Sequence, residues 1–502
     1  MIGIEAGQQP NRRAITLVLA FAFAMVAVLL ALKIAWIPVR QSFNSNEGWN
    51  AYHAMRAVGE GVLYPVKGSY LSANYTPLSF YLLGYLGKLF GDMIIIGRVL
   101  SIASLLYVAA SAAVLVRRVG VVFPGMQVAL LLILGINASA FWQYVAMNEP
   151  QWLGHAVMMT GLLVLVPRDA NKVPGTTRIL IAMLVMLAGG LVKQNLIAFP
   201  VAVTLWLLWL DRRAFWTWAI SGGVAGLAAL AVLHLSYGQG FWDNMRVFRE
   251  MSLWMMVTKV PLILALIVPS FVLTMRLWKR RGEDSRLVLF LLLALVAVPL
   301  GIFQRSGYGV SLNAHYDSLV ALAMGAGLAI TRRDVELAFR PSRPLFWVVA
   351  PLMIALPVFA GVVISELPNR GAVTARWSGW IERARQADGP VACRDLAVCY
   401  WAGKPAQIEF WTYNQYLKET GDTSRLIADL KAEKWAGIEV RKKDMLFGDD
   451  CKQAKELQEI MGCLYHPVFA EERQFVWLVP PSSPEARTET VDDPKPAIPT
   501  FF

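Results

Sequence analysis

Long apolar runs separated by short polar loops fill the first 365 residues of the chain. A membrane-spanning helix needs about 20 mainly apolar residues, so this pattern predicts about eleven spans. They lie near residues 14–36, 93–116, 126–146, 150–167, 178–192, 195–210, 215–236, 259–277, 286–303, 316–330 and 345–364. An odd number of crossings puts the two ends of the chain on opposite sides of the membrane. The predicted fold is therefore a polytopic α-helical membrane protein.

The overall composition agrees with this pattern. Hydrophobic residues make up 56% of the chain and the mean hydropathy is +0.48, well above the values of a soluble globular mix. A soluble enzyme is thereby excluded. The net charge of +12 could suggest nucleic acid, but the basic residues lie in the loops between apolar runs. Orientation in a membrane explains the charge better.

Basic residues provide a test of the threading, because cytoplasmic loops carry an excess of Lys and Arg. They fall in alternate loops, at Arg12, Arg13, Arg117, Arg118, Arg168, Lys172, Arg178, Arg212, Arg213, 276–286, Arg332, Arg333, Arg340 and Arg343. The predicted location is the bacterial inner membrane, with a cytoplasmic N-terminus and a periplasmic C-terminal region. The first apolar run is long for a signal peptide, so an uncleaved anchor is favoured.

One apolar segment does not fit a crossing. Residues 77–90 are apolar but too few to span, which favours an interfacial or re-entrant helix within a first exported loop of about residues 37–91. Counting this segment as a span would invert every later loop and break the charge rule. The membrane module is thus predicted to cover residues 1–365.

Residues 366–480 mix short β-type runs with helical stretches and predict a small periplasmic α/β domain. Strands are expected at 408–410, 437–440 and 475–479, and helices near 412–433 and 450–461. The segment 481–502 is rich in proline and polar residues, which predicts a disordered tail.

All four cysteines lie in this C-terminal region. An even number confined to one domain indicates two disulfides in an oxidising compartment. The simplest pairing joins Cys393 to Cys399 and Cys451 to Cys463, although four cysteines permit three pairings. Free thiols and zinc are the alternatives, and the spacings fit common zinc patterns poorly.

The exported loops hold the candidate site, because polar side chains at membrane depth are costly and tend to mark function. The first loop carries Glu47 among many aromatic residues. The second exported loop carries Glu149 directly before Pro150, and Lys193 follows a pair of glycines. Carboxylates and cations thus recur at the exported ends of spans.

Short motifs in a fixed order resemble those of a known family. They are Glu47 after the first span, Gly61-x-x-Tyr64, Tyr75-Thr76-Pro77-Leu78, Asn148-Glu149-Pro150, the segment from Gly189 to Gln194, Asn313-Ala314-His315-Tyr316, and the segment from Tyr400 to Pro405. Their order is similar to that of GT-C glycosyltransferases, and most similar to the family 39-like enzymes, which include protein O-mannosyltransferases and the aminoarabinose transferase of lipid A. Many relatives have an Asp-Glu pair where this chain has Asn46-Glu47, so only Glu47 can serve there as a carboxylate.

The resemblance implies a GT-C-like fold and transfer of a sugar from a polyprenyl phosphate carrier to a lipid, glycan or protein of the cell envelope. A hydroxyl acceptor needs a general base, for which Glu47 is the first choice and Glu149 the second. The phosphate leaving group needs cationic or hydrogen-bonding partners. The candidates near exported span ends are Lys193, Arg305, His315 and Tyr316.

Each candidate also has a structural interpretation. Glu47 and Glu149 could cap the helices that follow them, since acids favour helix N-termini. Lys193 could extend its ammonium to the membrane interface, although the neighbouring glycines permit another group to approach closely. His155 fits a satisfied intramembrane histidine better than a catalyst.

Two arginines in a later exported loop are weaker candidates for the phosphate. Arg246 and Arg249 lie in the same loop region as Trp242 and Trp254, a combination typical of headgroup anchors within an aromatic belt.

No metal-ligand motif is evident, so no cofactor is expected; a divalent ion held by Glu47, Glu149 and the substrate phosphate is a less favoured alternative. A transporter or flippase of lipid-linked substrates would also be polytopic, but such proteins commonly show repeated halves and midplane charges. This chain shows neither pattern. A scaffold subunit is a third possibility and would need no first-loop carboxylate.

Overall fold

The computed structural model describes residues 9–120, 123–258, 261–336, 338–441, 451, 454–471 and 475–487. Helices dominate the chain as far as residue 386. Their bounds are α1 Gln9–Ala35, α2 Asn46–Met55, α3 Leu78–Phe90, α4 Met93–Arg118, α5 Gly125–Ala138, α6 Gln151–Leu165, α7 Thr176–Val192, α8 Ala198–Leu210, α9 Arg212–Met245, α10 Leu253–Thr258, α11 Pro261–Met275, α12 Arg286–Arg305, α13 Tyr316–Ala329, α14 Arg332–Glu336, α15 Pro344–Ser365 and α16 Arg370–Gln386.

Every predicted span contains one of these helices. Within the described ranges, five helices are long and apolar enough to cross a membrane, at Arg12–Ala35, Met93–Arg118, Arg212–Met245, Arg286–Arg305 and Leu345–Gln386. Several others are shorter, and α5 and α13 have 14 residues each. The exact number of crossings therefore stays a prediction.

The main apolar core lies where α1, α4, α5, α12 and α13 pack together. Helix α13 is buried along its whole length, as expected of a helix with apolar residues on every side. Small residues bring its backbone close to α5: a Cβ added to Gly327 would lie 2.6 Å from the carbonyl oxygen of Gly125. Such close helix packing is typical of membrane helices with small residues at the contact.

Several of the basic loops meet at one end of the helices, called the basic end below. Arg286 pairs with Asp284 at 2.6 Å and donates to the carbonyl oxygens of Arg118, Pro167 and Arg168. The structure thus gathers loops that the charge pattern assigns to the same side. Which side of the membrane they face stays a prediction.

The first predicted exported loop lies at the opposite end, called the site end. It contains α2, a π-helical turn at Arg56–Glu60 and α3. The predicted non-crossing segment 77–90 corresponds to α3, which has 13 residues and packs against α2 and α4. Its contacts therefore hold the first loop on the ends of the longer helices.

A four-stranded mixed sheet forms the centre of the C-terminal domain, in the order β1-β2-β4-β3. Strand β1 pairs parallel with β2, whereas β4 pairs antiparallel with both β2 and β3. The elements are β1 Val391–Cys393, α17 Leu396–Trp401, α18 Phe410–Thr420, α19 Ser424–Lys431, β2 Gly437–Arg441, α20 Leu457–Leu464, β3 His466–Glu471 and β4 Phe475–Val479.

The strand expected at 408–410 is wrong. The carboxylate of Glu409 accepts the backbone N–H groups of Trp411 and Thr412 at 2.8 and 2.6 Å, so it caps α18. An N-cap carboxylate satisfies the otherwise unpaired first amides of a helix, and here that local bond outweighs the β-type pattern. The helix expected over 412–433 is divided by Gly421, which has a φ of +67°.

In this domain Cys393 is bonded to Cys399, and Cys451 to Cys463. Residues 442–450, which include the start of the helix expected near 450–461, lie outside the described residues. Structure continues beyond residue 480, the predicted end of this domain. There Pro484–Arg487 forms a 3₁₀ turn, and Arg383 pairs with Glu485 at 3.3 Å. Residues 488–502 of the predicted tail lie outside the described part of the chain.

Candidate functional site

The site end contains a fully buried ion pair between Glu47 of α2 and Arg98 of α4. The guanidinium binds both carboxylate oxygens, with Nε–Oε1 at 2.9 Å and Nη2–Oε2 at 2.6 Å. The side chains of both residues are 0% exposed. This two-bond geometry is the strongest form of a carboxylate–arginine contact.

Arg98 is completely satisfied by this region of the protein. Besides Glu47, it donates to the carbonyl oxygens of Ile37 and Val39 through Nη1, and to that of Gln41 through Nη2. All five N–H donors of the guanidinium are therefore used. Arg98 thus holds the chain that leaves α1 against the start of α2.

The carboxylate of Glu47 is equally occupied. It accepts two bonds from Arg98, one from the amide of Phe43 at 2.8 Å and one from the amide of Asn148 at 2.9 Å. A carboxylate offers about four lone-pair positions, so none is left for a substrate proton in this arrangement. The donors also come from outside α2, so Glu47 is not a simple cap of the helix in which it lies.

Glu149 and Lys193 form a second buried ion pair next to the first. The Lys193 ammonium contacts Oε1 of Glu149, and the amide of Gln151 donates to Oε2 at 2.8 Å. Glu149 is 6% exposed and Lys193 is 4% exposed. The helix-capping contact of Glu149 is therefore present together with an ion pair, and Lys193 does not extend to the interface.

The surroundings of Lys193 keep its ammonium charged. Its nitrogen lies 4.5 Å from the centre of the Tyr75 ring. Although burial acts to lower it, the neighbouring Glu149 carboxylate and Tyr75 raise the pKa of Lys193 above the usual value. A positive charge is thus held at this point of the site end.

The loop before α3 lies across the end of α7, beside Gly189 and Gly190. Thr76 donates its hydroxyl to the carbonyl oxygen of Gly190 at 3.0 Å, and its amide to Gln194 Oε1 at 3.3 Å. Gln194 in turn donates to the carbonyl oxygen of Asn74 at 2.6 Å. These bonds position Tyr75 over Lys193.

Arg305 and His315 add polar groups that lack full partners. Arg305 donates to the carbonyl oxygen of Val310, but its Nε is buried without an acceptor among the described residues. Within the same ranges, both ring nitrogens of His315 are buried and unpaired. Burial first, and the Arg305 charge second, lower the pKa of His315 to about 4, so the ring is neutral at pH 7.

The structure places Tyr316 in the aromatic core of the module. Its ring stacks on Trp152 with centres 4.2 Å apart, and its edge contacts include Phe141 and Tyr144. The residue is 0% exposed. Contact between Tyr316 and a donor phosphate stays a prediction.

His155 has partners on both sides of its ring. Nδ1 lies 2.7 Å from the carbonyl oxygen of Gln151, and Nε2 lies 2.7 Å from a carboxylate oxygen of Asp317. The nearby carboxylate fits a structural histidine, although the Nε2–Oδ1 contact lacks hydrogen-bond geometry and neither atom has another partner among the described residues.

The two arginines of the later loop differ in position. Arg246 is exposed, with its guanidinium 5.9 Å from the Trp242 ring, as expected of a headgroup anchor. Arg249 is partly buried: its guanidinium lies 5.0 Å from the Trp411 ring of the C-terminal domain, and its side chain packs on Gly307. In the described part of the chain, no carboxylate pairs with Arg249.

The C-terminal domain contacts the helices that carry the first ion pair. Helix α17 lies so close to the start of α2 that a Cβ on Gly48 would overlap the backbone of Ala397. Trp401 donates to Asp92 at 2.8 Å, and Asp92 caps α4. The Tyr400 hydroxyl accepts the amide of Met93 at 2.8 Å. Helix α17 thus positions the beginnings of both α2 and α4.

Sequence reasoning missed Arg98, although its charge interrupts the apolar run 93–116 and is costly there without a partner. It also missed Asp317, one residue after the quoted Asn313–Tyr316 motif. No local pattern indicates that Trp411 reaches Arg249, since the two residues belong to different domains.

The helical module with a polar site at one end, and the small α/β domain against that end, share their fold with solved structures of ArnT, and this likeness supports the GT-C-like fold that the motif resemblance predicted. Similar solved structures include ArnT from Cupriavidus metallidurans bound to undecaprenyl phosphate, with a TM-score of 0.57, 13% identity and coverage of 91% of this chain and 98% of that chain. The same protein in the apo state gives a TM-score of 0.55, 13% identity and coverage of 91% and 97%. No family model and no curated protein matches the sequence. At this identity, the likeness is one of fold.

Proposed function

We propose that the chain is a glycosyltransferase of the bacterial inner membrane that moves a sugar from a polyprenyl phosphate donor to a cell-envelope acceptor at the periplasmic face. The main support is the buried Glu149–Lys193 pair beside incompletely paired cationic and polar groups at one end of the module. The order of the family motifs and the fold shared with ArnT, one structure of which is bound to undecaprenyl phosphate, agree with this function.

The donor phosphate would be held by groups that stabilise negative charge. Lys193 supplies a buried ammonium, and Arg305 has a buried Nε that no described residue accepts from. The Arg249 guanidinium lies beside Trp411 and pairs with no carboxylate among the described residues. His315 is neutral at pH 7 and offers a neutral hydrogen-bond donor. Charge-assisted hydrogen bonds to a departing phosphate are among the larger contributions to catalysis of such a transfer.

Glu149 is the better base on geometric grounds, although the sequence ranks Glu47 first. The lone pairs of Glu47 are occupied by Arg98, Phe43 and Asn148. Glu149 accepts from one ammonium and a single amide. We therefore assign Glu47 to positioning the site and Glu149 to proton transfer.

The reaction then follows from these two roles. Lys193 turns from Glu149 toward the donor phosphate when the donor binds, and this movement frees one carboxylate oxygen. The acceptor hydroxyl attacks the anomeric carbon, and the bond between that carbon and the phosphate oxygen breaks. The hydroxyl proton passes to Glu149, and polyprenyl phosphate leaves with both electrons of the broken bond.

We expect no resident metal, because Arg98 saturates Glu47 and Lys193 pairs with Glu149 before the donor binds. A divalent ion would have to displace Arg98 from Glu47 or Lys193 from Glu149. Activity that persists after treatment with chelator is the expected result.

The first experiment compares the lipids and glycans of a strain lacking this chain with those of its parent, which identifies the missing sugar and acceptor. The full chain in proteoliposomes is then assayed for release of undecaprenyl phosphate from the matching sugar carrier. We expect Glu149→Gln to reduce the rate per folded protein about 10²–10⁴-fold and to lower the melting temperature, because Lys193 stays buried without its carboxylate. Full activity of Glu149→Gln would refute its role as base.

The same assay separates transfer from transport. A flippase would move the sugar carrier across the bilayer without breaking the sugar–phosphate bond, so no undecaprenyl phosphate would be released.

The orientation of the C-terminal domain is tested by alkylating the cysteines in intact cells. A periplasmic C-terminal domain is supported if the cysteines are labelled only after reduction with a membrane-impermeant reductant. Ready labelling without reductant contradicts this location.

A further inference from the structure

Lys33, in the last turn of α1, is buried in a cage of aromatic rings. Its ammonium lies 3.8 Å from the centre of the Phe43 ring, 5.0 Å from Trp142 and 5.8 Å from Trp36. The residue is only 3% exposed. Among the residues that the structure describes, its ammonium pairs with no carboxylate, because nearby Glu47 is bound by Arg98.

Two further cations share this cage. The Arg98 guanidinium also lies 3.8 Å from the Phe43 ring centre. The Arg370 guanidinium, at the start of α16, lies over the Trp36 ring. Its Nε and one Nη are buried, and no described residue accepts from them. Three basic side chains thus face a single carboxylate, that of Glu47, in this region.

Burying a charge without a partner is costly, and aromatic faces compensate for only part of that cost. Buried donors without acceptors are also rare in proteins unless a ligand or water binds them. An anion held between Lys33 and Arg370 would compensate the buried positive charge and also accept the unpaired N–H bonds of Arg370. Phosphate suits these groups, because arginine and lysine both bind phosphate oxygens strongly.

We propose that Lys33 and Arg370 form a binding site for the phosphate of an anionic lipid. Exposed apolar side chains lie near both residues along the chain, with Ile34 46% exposed and Ile364 51% exposed, and the exposed Glu366 lies one turn before Arg370. Tryptophans such as Trp36 and Trp142 are typical of the membrane–water interface. A headgroup phosphate in the cage would leave its acyl chains along these exposed apolar side chains.

This site is separate from the groups assigned to sugar transfer. Trp142 faces Lys33, whereas Tyr144, two residues later, lies in the aromatic group of Tyr316. Glu47 and Arg98 lie between the two regions, since Asn148 binds Glu47 and its neighbour Glu149 pairs with Lys193. The lipid site therefore borders the positioning pair without using the donor-binding groups.

The test uses the purified, delipidated full chain and measures lipid binding by native mass spectrometry. Phosphatidylglycerol and phosphatidylcholine of equal chain length are titrated separately. We expect wild type to prefer phosphatidylglycerol, and Lys33→Met to weaken phosphatidylglycerol binding about tenfold, the equivalent of one charged contact. Arg370→Met should give a similar loss, and it tests the same site if the first variant fails to fold.

The matched control is Lys88→Met, because Lys88 lies at the site end but donates to the carbonyl oxygen of Val58 at 2.6 Å. It should bind phosphatidylglycerol like wild type. A second arm adds inorganic phosphate. If phosphate competes with phosphatidylglycerol, the site also binds free phosphate. If it does not compete, the site requires the lipid headgroup, and both results support a phosphate site. Unchanged binding in both Lys33→Met and Arg370→Met, or an equal loss in Lys88→Met, would overturn the lipid site.

Discussion

The amide of Asn148 donates to Oε1 of Glu47 at 2.9 Å across 101 residues of sequence. The next residue, Glu149, forms an ion pair with Lys193. Two adjacent residues of one loop therefore connect the Glu47–Arg98 pair with the Glu149–Lys193 pair. A displacement of α2 relative to α4 would move this loop, and with it the carboxylate that we propose as the base.

Replacing Glu47 with glutamine should damage the fold more than the chemistry. Arg98 would remain buried with an uncompensated charge, and breaking a buried pair from one side costs about 3–5 kcal/mol. We expect a lower melting temperature and yield, with residual activity that follows the amount of folded protein. A stable but inactive Glu47→Gln variant would instead indicate that Glu47 acts on the substrate directly.

Replacing Lys193 with methionine should mainly weaken donor binding. The variant removes a buried ammonium and leaves Glu149 without its cation. We expect KM for the sugar carrier to rise about tenfold or more, the equivalent of about 1.4 kcal/mol, and Lys193→Arg to recover part of the loss. The measurement is initial rate against donor concentration in proteoliposomes. An unchanged KM in Lys193→Met would contradict a contact with the phosphate.

Gly48→Ala should separate α17 from the start of α2, since the added methyl overlaps the backbone of Ala397. Overpacking of this kind costs about 1–3 kcal/mol. We expect a lower melting temperature, reduced activity and faster proteolysis between residues 366 and 390. The control is Gly379→Ala, where a Cβ meets open space in α16. Equal behaviour of the two variants would show that the contact with α17 is not required.

Glu439 predicts a pH dependence of stability. Burial, followed by the charge of Asp395, raises the pKa of Glu439 to about 8, against an ordinary value near 4.5. Between these values the folded state holds a proton that the unfolded chain releases, so the free energy of unfolding falls as pH rises from about 4.5 to 8. The slope is at most about 1.4 kcal/mol per pH unit for one group.

Glu439→Gln should therefore make the melting temperature less dependent on pH between about 4.5 and 8, and it should raise the melting temperature at pH 8. Melting of the full chain is followed by tryptophan fluorescence at several pH values. Glu382→Gln is the control, because that carboxylate is exposed and pairs with Arg385 on the surface. The same slope in Glu439→Gln and wild type would assign the pH dependence to another group.

Much of the architecture could be predicted from the sequence. Every predicted span contains a helix, and the non-crossing segment 77–90 corresponds to α3. A long apolar run predicts a helix from its own residues, so these predictions did not depend on which other helices lie beside it. The strand predicted at 408–410 was wrong, because a capping bond from Glu409 competes with a three-residue β-type pattern that is too short to decide the structure.

The candidate site was only partly predictable. Glu47, Glu149 and Lys193 stood out because charged residues at the ends of apolar runs are uncommon. Their partners did not follow from the pattern, since Arg98 and Lys193 lie 51 and 44 residues from the carboxylates they bind. The sequence ranked Glu47 above Glu149 as the base because it could not show which carboxylate is already saturated.

The sequence by itself determined the membrane class, the alternation of basic loops and the confinement of all cysteines to one domain. These properties depend on composition and on spacing along the chain. Only the tertiary structure decided that Arg98 saturates Glu47, that Lys193 pairs with Glu149, and that Lys33 and Arg370 share an aromatic cage. Hydrogen bonds and ion pairs act over about 3–4 Å. The packing of α1, α2, α4, α6 and α7 alone brings these groups within that range.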